Sequence, residues 1–139
     1  MSNVTTLALN PSWPSSSSGK TVVLYIQAYA TSSFVQNVSI TGPGLTVPLV
    51  ASSDTSKPFG TQFLNKEIHL PYKQYPNWLY QVTITYNNPS PKPSDVIGND
   101  DTSVGPAMFT AIAVSNDGGS DKDYNDCIVQ ISAFNNSTD

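Results

Sequence analysis

Hydrophobic and polar positions alternate along most of this chain with a period of two, and no window keeps the three-to-four-residue spacing of an amphipathic helix. The alternation is clearest over 78–86. There Tyr80, Val82, Ile84 and Tyr86 fall on one side and Leu79, Gln81, Thr83 and Thr85 on the other, which makes the first set the expected core face. Residues 21–30 give a second dense strand signal, built from β-branched, aliphatic and aromatic side chains such as Val22, Val23, Leu24, Tyr25, Ile26 and Tyr29. Over 35–41, Gln36, Val38 and Ile40 alternate with Val35, Asn37 and Ser39, as in a half-buried strand. The polar turn Thr31-Ser32-Ser33-Phe34 joins these two segments, so they are expected to form a hairpin, with Phe34 an exposed aromatic. Further strands are expected over 4–9, 45–51, 61–64, 67–70, 107–114 and 127–134, with Pro48 marking an edge or a bend.

Turn residues separate these segments. Pro11, Pro14 and the four serines from Ser15 to Ser18 break the chain after its first strand, and Gly42-Pro43-Gly44 reads as a tight turn. Residues 71–77 hold two prolines and read as a loop or sheet corner. Residues 87–101 read as a long irregular loop, because Pro89, Pro91, Pro93 and Gly98 interrupt it and its acids, Asp95, Asp100 and Asp101, are loosely spaced and suited to solvent. Short strands divided by turns along the whole length predict an all-β fold, an antiparallel β-sandwich of about nine strands. At 139 residues it is expected to be a single domain covering 1–139.

Composition narrows the function. Only 12% of residues are charged, against roughly 25% in ordinary soluble domains, so Ser, Thr, Asn and Gln carry much of the polar surface. The net charge is −4, arginine is absent, and the six lysines are scattered. That argues against nucleic acid, which is held through clustered Arg and Lys. No apolar run is long enough to insert in a membrane. The start of the chain lacks a basic segment followed by a hydrophobic one, so no secretory signal is expected. A soluble protein is expected, either cytoplasmic or exported by a non-classical route to the cell surface or medium. Cys127 is the only cysteine, which rules out an intramolecular disulfide and suits a small buried strand residue. His69, the only histidine, sits on a strand pattern with no nucleophilic turn beside it and reads as structural.

One stretch changes the picture. Ser115-Asn116-Asp117-Gly118-Gly119-Ser120-Asp121-Lys122-Asp123-Tyr124-Asn125-Asp126 holds four of the ten acidic residues and a single lysine. Carboxylates crowded this closely resist ionising together unless a positive charge sits among them. A hard divalent cation meets that need, because calcium takes six to eight oxygens. Gly118 and Gly119 allow the backbone to bend and aim the side chains at one centre. A solvated acidic turn would have a similar composition. Asp121-x-Asp123-x-Asn125 matches the opening of an EF-hand loop, but Asp126 stands where glycine is needed and Ser132 where the bidentate Glu is needed, and the flanks alternate as strands. The EF-hand is therefore excluded. A paired-carboxylate hydrolase built on Asp117 and Asp126 explains the spacing less well than metal ligation, since it does not call for four carboxylates in one turn.

The chain resembles the calcium-dependent fucose- and mannose-binding soluble lectins of bacteria, small β-sandwich proteins that hold two adjacent calcium ions. The segment from Asp117 to Asp126 is similar to that family's E-D-G-x-D-x-D-Y-N-D loop, and the strand Cys127-Ile128-Val129-Gln130-Ile131 follows it as the family's last strand does. Ala28-Tyr29-Ala30-Thr31-Ser32-Ser33 is similar to the family's A-F-A-N-S-S turn. A weaker likeness covers Gln81-Val82-Thr83-Ile84-Thr85 and the loop after it. The resemblance implies a lectin rather than an enzyme, with two Ca2+ ions held by Asp117, Asp121, Asp123, Asn125 and Asp126 and by Thr31, the last through its backbone carbonyl. It places Ser32, Ser33, Phe34 and Gly118 beside the sugar, together with Asp121, Asp123 and Asp126, and implies fucose- or mannose-containing glycans as partners. A homodimer or higher homo-oligomer is expected. The chain departs from the family pattern in five places: Thr31 stands where the family has Asn, Phe34 replaces a small residue, Asp117 is shorter than the family's Glu, Gly118 stands where an acid is expected, and the sequence runs on through Asn135 and Asn136 to Asp139 where the family ends in a glycine that completes the partner subunit's calcium site. A calcium-stabilised adhesion module that does not chelate sugar is the alternative.

Overall fold

The alternation is realised as two packed antiparallel sheets. The computed structural model describes residues 2–9, 21–71, 78–104, 108–118 and 123–136, with side chains placed for these apart from 100–104 and 135–136. Among them are ten strands: β1 (Val4–Leu9), β2 (Thr21–Ala30), β3 (Gln36–Thr41), β4 (Leu49–Ser52), β5 (Thr61–Pro71), β6 (Trp78–Asn87), β7 (Pro91–Pro93), β8 (Asp95–Val104), β9 (Met108–Asn116) and β10 (Cys127–Asn136). The first sheet runs β1-β6-β3-β4, with β7 also paired to β6, and the second runs β5-β2-β10-β9-β8. The β-sandwich expectation holds. No helix among the described residues is long and apolar enough to cross a membrane.

Period-two patterning sets the inward rows. β2 sends Val22, Leu24, Ile26 and Ala28 into the core, β10 sends Cys127, Val129, Ile131 and Ala133, and β9 sends Phe109, Ala111 and Ala113. From the facing sheet come Leu7 and Leu9 of β1, Val38 and Ile40 of β3, and Tyr80, Val82 and Ile84 of β6, the face expected from sequence. Burying each large aliphatic side chain contributes about 1.5–3 kcal/mol, so the interlocked rows fix register. A slip of one residue would turn every row outward. Cys127 belongs to this packing and burial pushes its thiol up to about 12, as suits a structural cysteine. His69 is half-exposed on β5, with Nε2 2.7 Å from Glu67 Oε2.

Five expectations need correction. β2 and β3 are not a hairpin: β2 pairs with β5 and β10 in one sheet, while β3 pairs with β4 and β6 in the other. Both present inward rows, so the turn between them crosses from sheet to sheet. The expected loop over 87–101 contains β7 and most of β8, which pairs with β9 from Asp95↔Asn116 to Val104↔Met108 around an irregularity between Asn99 and Thr102. The segments 61–64 and 67–70 are one continuous strand, β5, and the strand expected over 45–51 is confined to Leu49–Ser52 at the sheet edge. Phe34 is half-buried, its ring 5.7 Å from that of Tyr86. The expected loops over 10–20 and 72–77 lie outside the described residues.

Candidate functional site

The sheet-to-sheet crossover and the acidic loop meet at one end of the sandwich. β10 lies between β2 and β9, and its first residue, Cys127, sits opposite both Ala30 and Ser115. The segment after β2 and the segment between β9 and β10 therefore leave the sheet side by side. Backbone bonds continue the ladder beyond its end: Thr31 N–H donates to the Asp126 carbonyl at 2.9 Å, and Asp126 N–H to the Ser115 carbonyl at 3.1 Å. Residues about ninety positions apart are thus fixed against each other by main chain, independently of their side chains.

Side chains complete the junction. The inward row of β9 continues past Ala113 through Ser115 to Asp117, and the inward row of β3 begins at Gln36, so polar groups meet where the apolar core ends. Gln36 is fully buried. Its Nε2 donates to Asp117 Oδ2 at 3.3 Å and to the Phe34 carbonyl at 3.2 Å. The Ser32 hydroxyl donates to the same Asp117 oxygen and accepts from Phe34 N–H at 3.0 Å. Asp126 Oδ2 accepts from Asp117 N–H at 2.9 Å. Two carboxyl groups, Asp117 and Asp126, are therefore buried together at 8% and 7% exposure, a depth acids avoid unless paired.

Electrostatics weigh against charge on Asp126. Burial pushes the Asp126 carboxyl up to about 6, and the charges of Asp117 and Asp123 push the same way, against the opposing pull of the Asp117 N–H. Asn116, the last residue of β9, is 1% exposed, and its Oδ1 has no hydrogen-bond partner. The loop is held from outside by Tyr124, whose hydroxyl donates to Asp95 at the start of β8 and whose backbone takes the left-handed conformation at φ 57°. The hydrogen bond to Asp95 raises the Tyr124 phenol above its ordinary range. Gly118 also has positive φ, 84°, and a Cβ there would lie 2.7 Å from the Tyr86 hydroxyl.

Of the residues singled out from sequence, Thr31, Ser32, Asp117 and Asp126 are brought into direct contact. Asp123 and Asn125 are exposed on the same loop, and Asp123 is near enough to raise Asp126. Ser33 and Gly118 are exposed at the mouth, and Phe34 packs on Tyr86 beside them. Asp121 lies outside the described residues. Among the described residues no three acidic, histidine or cysteine side chains gather into one cluster. Sequence reasoning missed Gln36, Asn116, Asp95 and Tyr124. Gln36 carried a usable signal, since it shares the alternation of Val38 and Ile40 and so occupies a core position.

A family model for Fucose-binding lectin II (PA-IIL) matches residues 18–135. The chain belongs to this lectin family. No curated protein matches the sequence closely enough to be counted a relative. Three solved bacterial lectins are similar in fold. The Chromobacterium violaceum lectin CV2L, solved in complex with alpha-methyl-fucoside, is 22% identical, with 95% of this chain and 96% of that one covered and a TM-score of 0.57. The Ralstonia solanacearum high-affinity mannose-binding lectin is 19% identical, with 95% and 96% covered and a TM-score of 0.55. The C-terminal domain of the BC2L-C lectin from Burkholderia cenocepacia is 21% identical, with 95% and 97% covered and a TM-score of 0.59. At these identities the likeness establishes the shared sandwich fold, and the family match carries the kinship of the lectin sequence.

Proposed function

We propose that this protein is a calcium-dependent lectin that binds fucose- or mannose-type sugars where the β2–β3 crossover meets the β9–β10 loop. The observation that carries this reading is the junction of Ser32 and Gln36 with Asp117, and of Thr31 with Asp126, in a member of a fucose-binding lectin family. The donor set fits calcium. It consists of oxygens only, and two of its carboxyl groups are buried together with like charges acting on Asp126. In this reading Asp117, Asp121, Asp123, Asn125, Asp126 and the Thr31 carbonyl hold two calcium ions. Bound calcium supplies open coordination positions that accept vicinal sugar hydroxyls.

The chain's own groups set the orientation of the sugar. Ser32 already gives its proton to Asp117 and receives one from Phe34 N–H, so its remaining lone pair is an acceptor for a sugar hydroxyl. Ser33 lies at the exposed mouth, and the half-buried Phe34 offers an apolar edge beside it. Gly118 has no room for a side chain under Tyr86 and serves through its backbone. Binding by chelation and hydrogen bonds needs no covalent step. Two or more such sites on a homo-oligomer would gain avidity on a glycan-coated surface.

Titration calorimetry with methyl α-fucoside and methyl α-mannoside tests the proposal. Saturable binding is expected in calcium and none in excess chelator, and Asp123→Ala should lose both metal and sugar. Sugar binding that persists in chelator overturns the mechanism. Calcium binding that stabilises the fold with no sugar bound by any probe favours the structural module instead.

A further inference from the structure

A groove of about 270 Å3 opens beside Ser32, between the turn that follows β4 and the start of β5. Its lining combines apolar Ala30, Phe59 and Phe63 with polar Ser53, Asp54 and Gln62. At 67% exposure, the Phe59 ring on its lining faces solvent although nothing in the core requires it. Its walls are fixed by their own bonds. Gly60 N–H donates to the Ala30 carbonyl at 2.8 Å, and Thr61 donates through both its N–H (3.2 Å) and its hydroxyl (2.6 Å) to the Pro58 carbonyl. Asp54 Oδ1 accepts from Ser56 N–H at 2.9 Å and from its hydroxyl at 2.6 Å. Gln36, which holds Asp117 through its side chain, also holds this wall through its backbone: its N–H donates to Ser53 Oγ at 2.8 Å and its carbonyl accepts from Ser53 N–H at 2.9 Å.

We propose that this groove is a second saccharide subsite, which takes the neutral pyranose ring next to the terminal sugar of an oligosaccharide. The proposal rests on the lectin reading of the first site, from which the groove continues through Ser32. A pyranose ring has C–H faces and a hydroxyl rim. An aromatic ring with a negative face accepts the first, and hydroxyl, carboxylate and amide groups accept the second. The groove lining offers both, Phe59 for the first and Ser53, Asp54 and Gln62 for the second. Its charged groups are one acid, Asp54, and one base, Lys57, whose N–H donates to the Asp54 carbonyl at 3.1 Å, so the surface selects neither anionic nor cationic ligands. A wall already ordered by hydrogen bonds adds affinity without the cost of ordering a loop.

The test compares monosaccharides with disaccharides by calorimetry in calcium. The probes are methyl α-mannoside against the α-linked mannobioses, and methyl α-fucoside against fucose α-linked to galactose and to N-acetylglucosamine. At least one disaccharide is expected to bind about threefold to tenfold more tightly than its monosaccharide. Phe59→Ala should bring that disaccharide to the monosaccharide level and leave monosaccharide affinity unchanged, and Phe59→Trp should keep the gain. Because Phe59 is largely exposed, both variants are expected to fold. Monosaccharide binding with no gain for any disaccharide, or a gain that survives Phe59→Ala, overturns the subsite alone. Failure of every probe in calcium overturns the lectin reading, and the subsite with it.

Discussion

At Asp126 the crowding of acids shows in a single carboxyl group. Its pKa rises from an ordinary 3.8 to about 6 because burial and two neighbouring acids disfavour its charge. A raised carboxyl favours the protonated folded state, so its contribution to stability is present below the unfolded value and is lost as pH rises through 6. In chelator, the stability of the native protein relative to Asp126→Asn should therefore fall as pH rises from about 5 to 7, and calcium should reverse the trend because metal and proton compete for one oxygen. Urea unfolding of both proteins across that range measures it. A difference flat in pH would show that Asp126 does not feel its acidic neighbours. The acids themselves were legible, because four carboxylates around two glycines are unusual in a chain this poor in charge. Gln36 and Asn116 were not. Each reads as an ordinary polar residue until the fold buries it, and only the alternation of Gln36 with Val38 and Ile40 hinted that it faces inward.

Strands were legible wherever alternation was clean, as in β2, β3, β6, β9 and β10, and misread wherever tertiary contact overrides local signal. A short polar turn between two strong strands looks the same whether it closes a hairpin or crosses between sheets. The choice is made by β5 and β10, which occupy both edges of β2. β8 was hidden by Gly98 and the prolines before it. Pro91 and Pro93 fall in the three-residue strand β7, where a missing N–H is tolerated. Gly98 is a matter of close approach. A Cβ there would lie 2.6 Å from Leu7 Cδ2 and 3.2 Å from Thr5 Cγ2, so β8 packs over β1 only without a side chain at this position. Gly98→Ala should cost about 1–3 kcal/mol in urea unfolding, the size of penalty expected when an added methyl group forces a close contact apart. Combining it with Leu7→Ala should cost less than the sum of the two single changes, because the second removes the atom the first collides with. Additive costs would mean that β8 can shift away from β1 freely.

The whole molecule is tied together differently at its two seams. Along one, backbone bonds close the sandwich: the Ser2 carbonyl accepts from Val96 N–H of one sheet at 2.9 Å, and the Asn3 carbonyl from Ile84 N–H of the other at 3.0 Å. At the candidate site the link runs through side chains, from Gln36 and Ser32 on the first sheet's side to Asp117 on the second's. That link ends on a buried acid with a second buried acid beside it, which makes it the seam expected to gain most from a bound cation. Calcium binding should therefore read out as global stability. At a hundredfold excess over its Kd, a single bound ion stabilises by about 2.7 kcal/mol, roughly 10 °C in Tm for a chain of this length. Calorimetric scans in chelator and in calcium measure the shift. A sugar should raise Tm further in calcium and leave it unchanged in chelator, since in the proposed mode of binding its anchoring positions are on the bound ion. A Tm indifferent to calcium would place the acidic loop outside the folding unit. A sugar shift of equal size in chelator would mean that the serines and Phe34 bind sugar without metal.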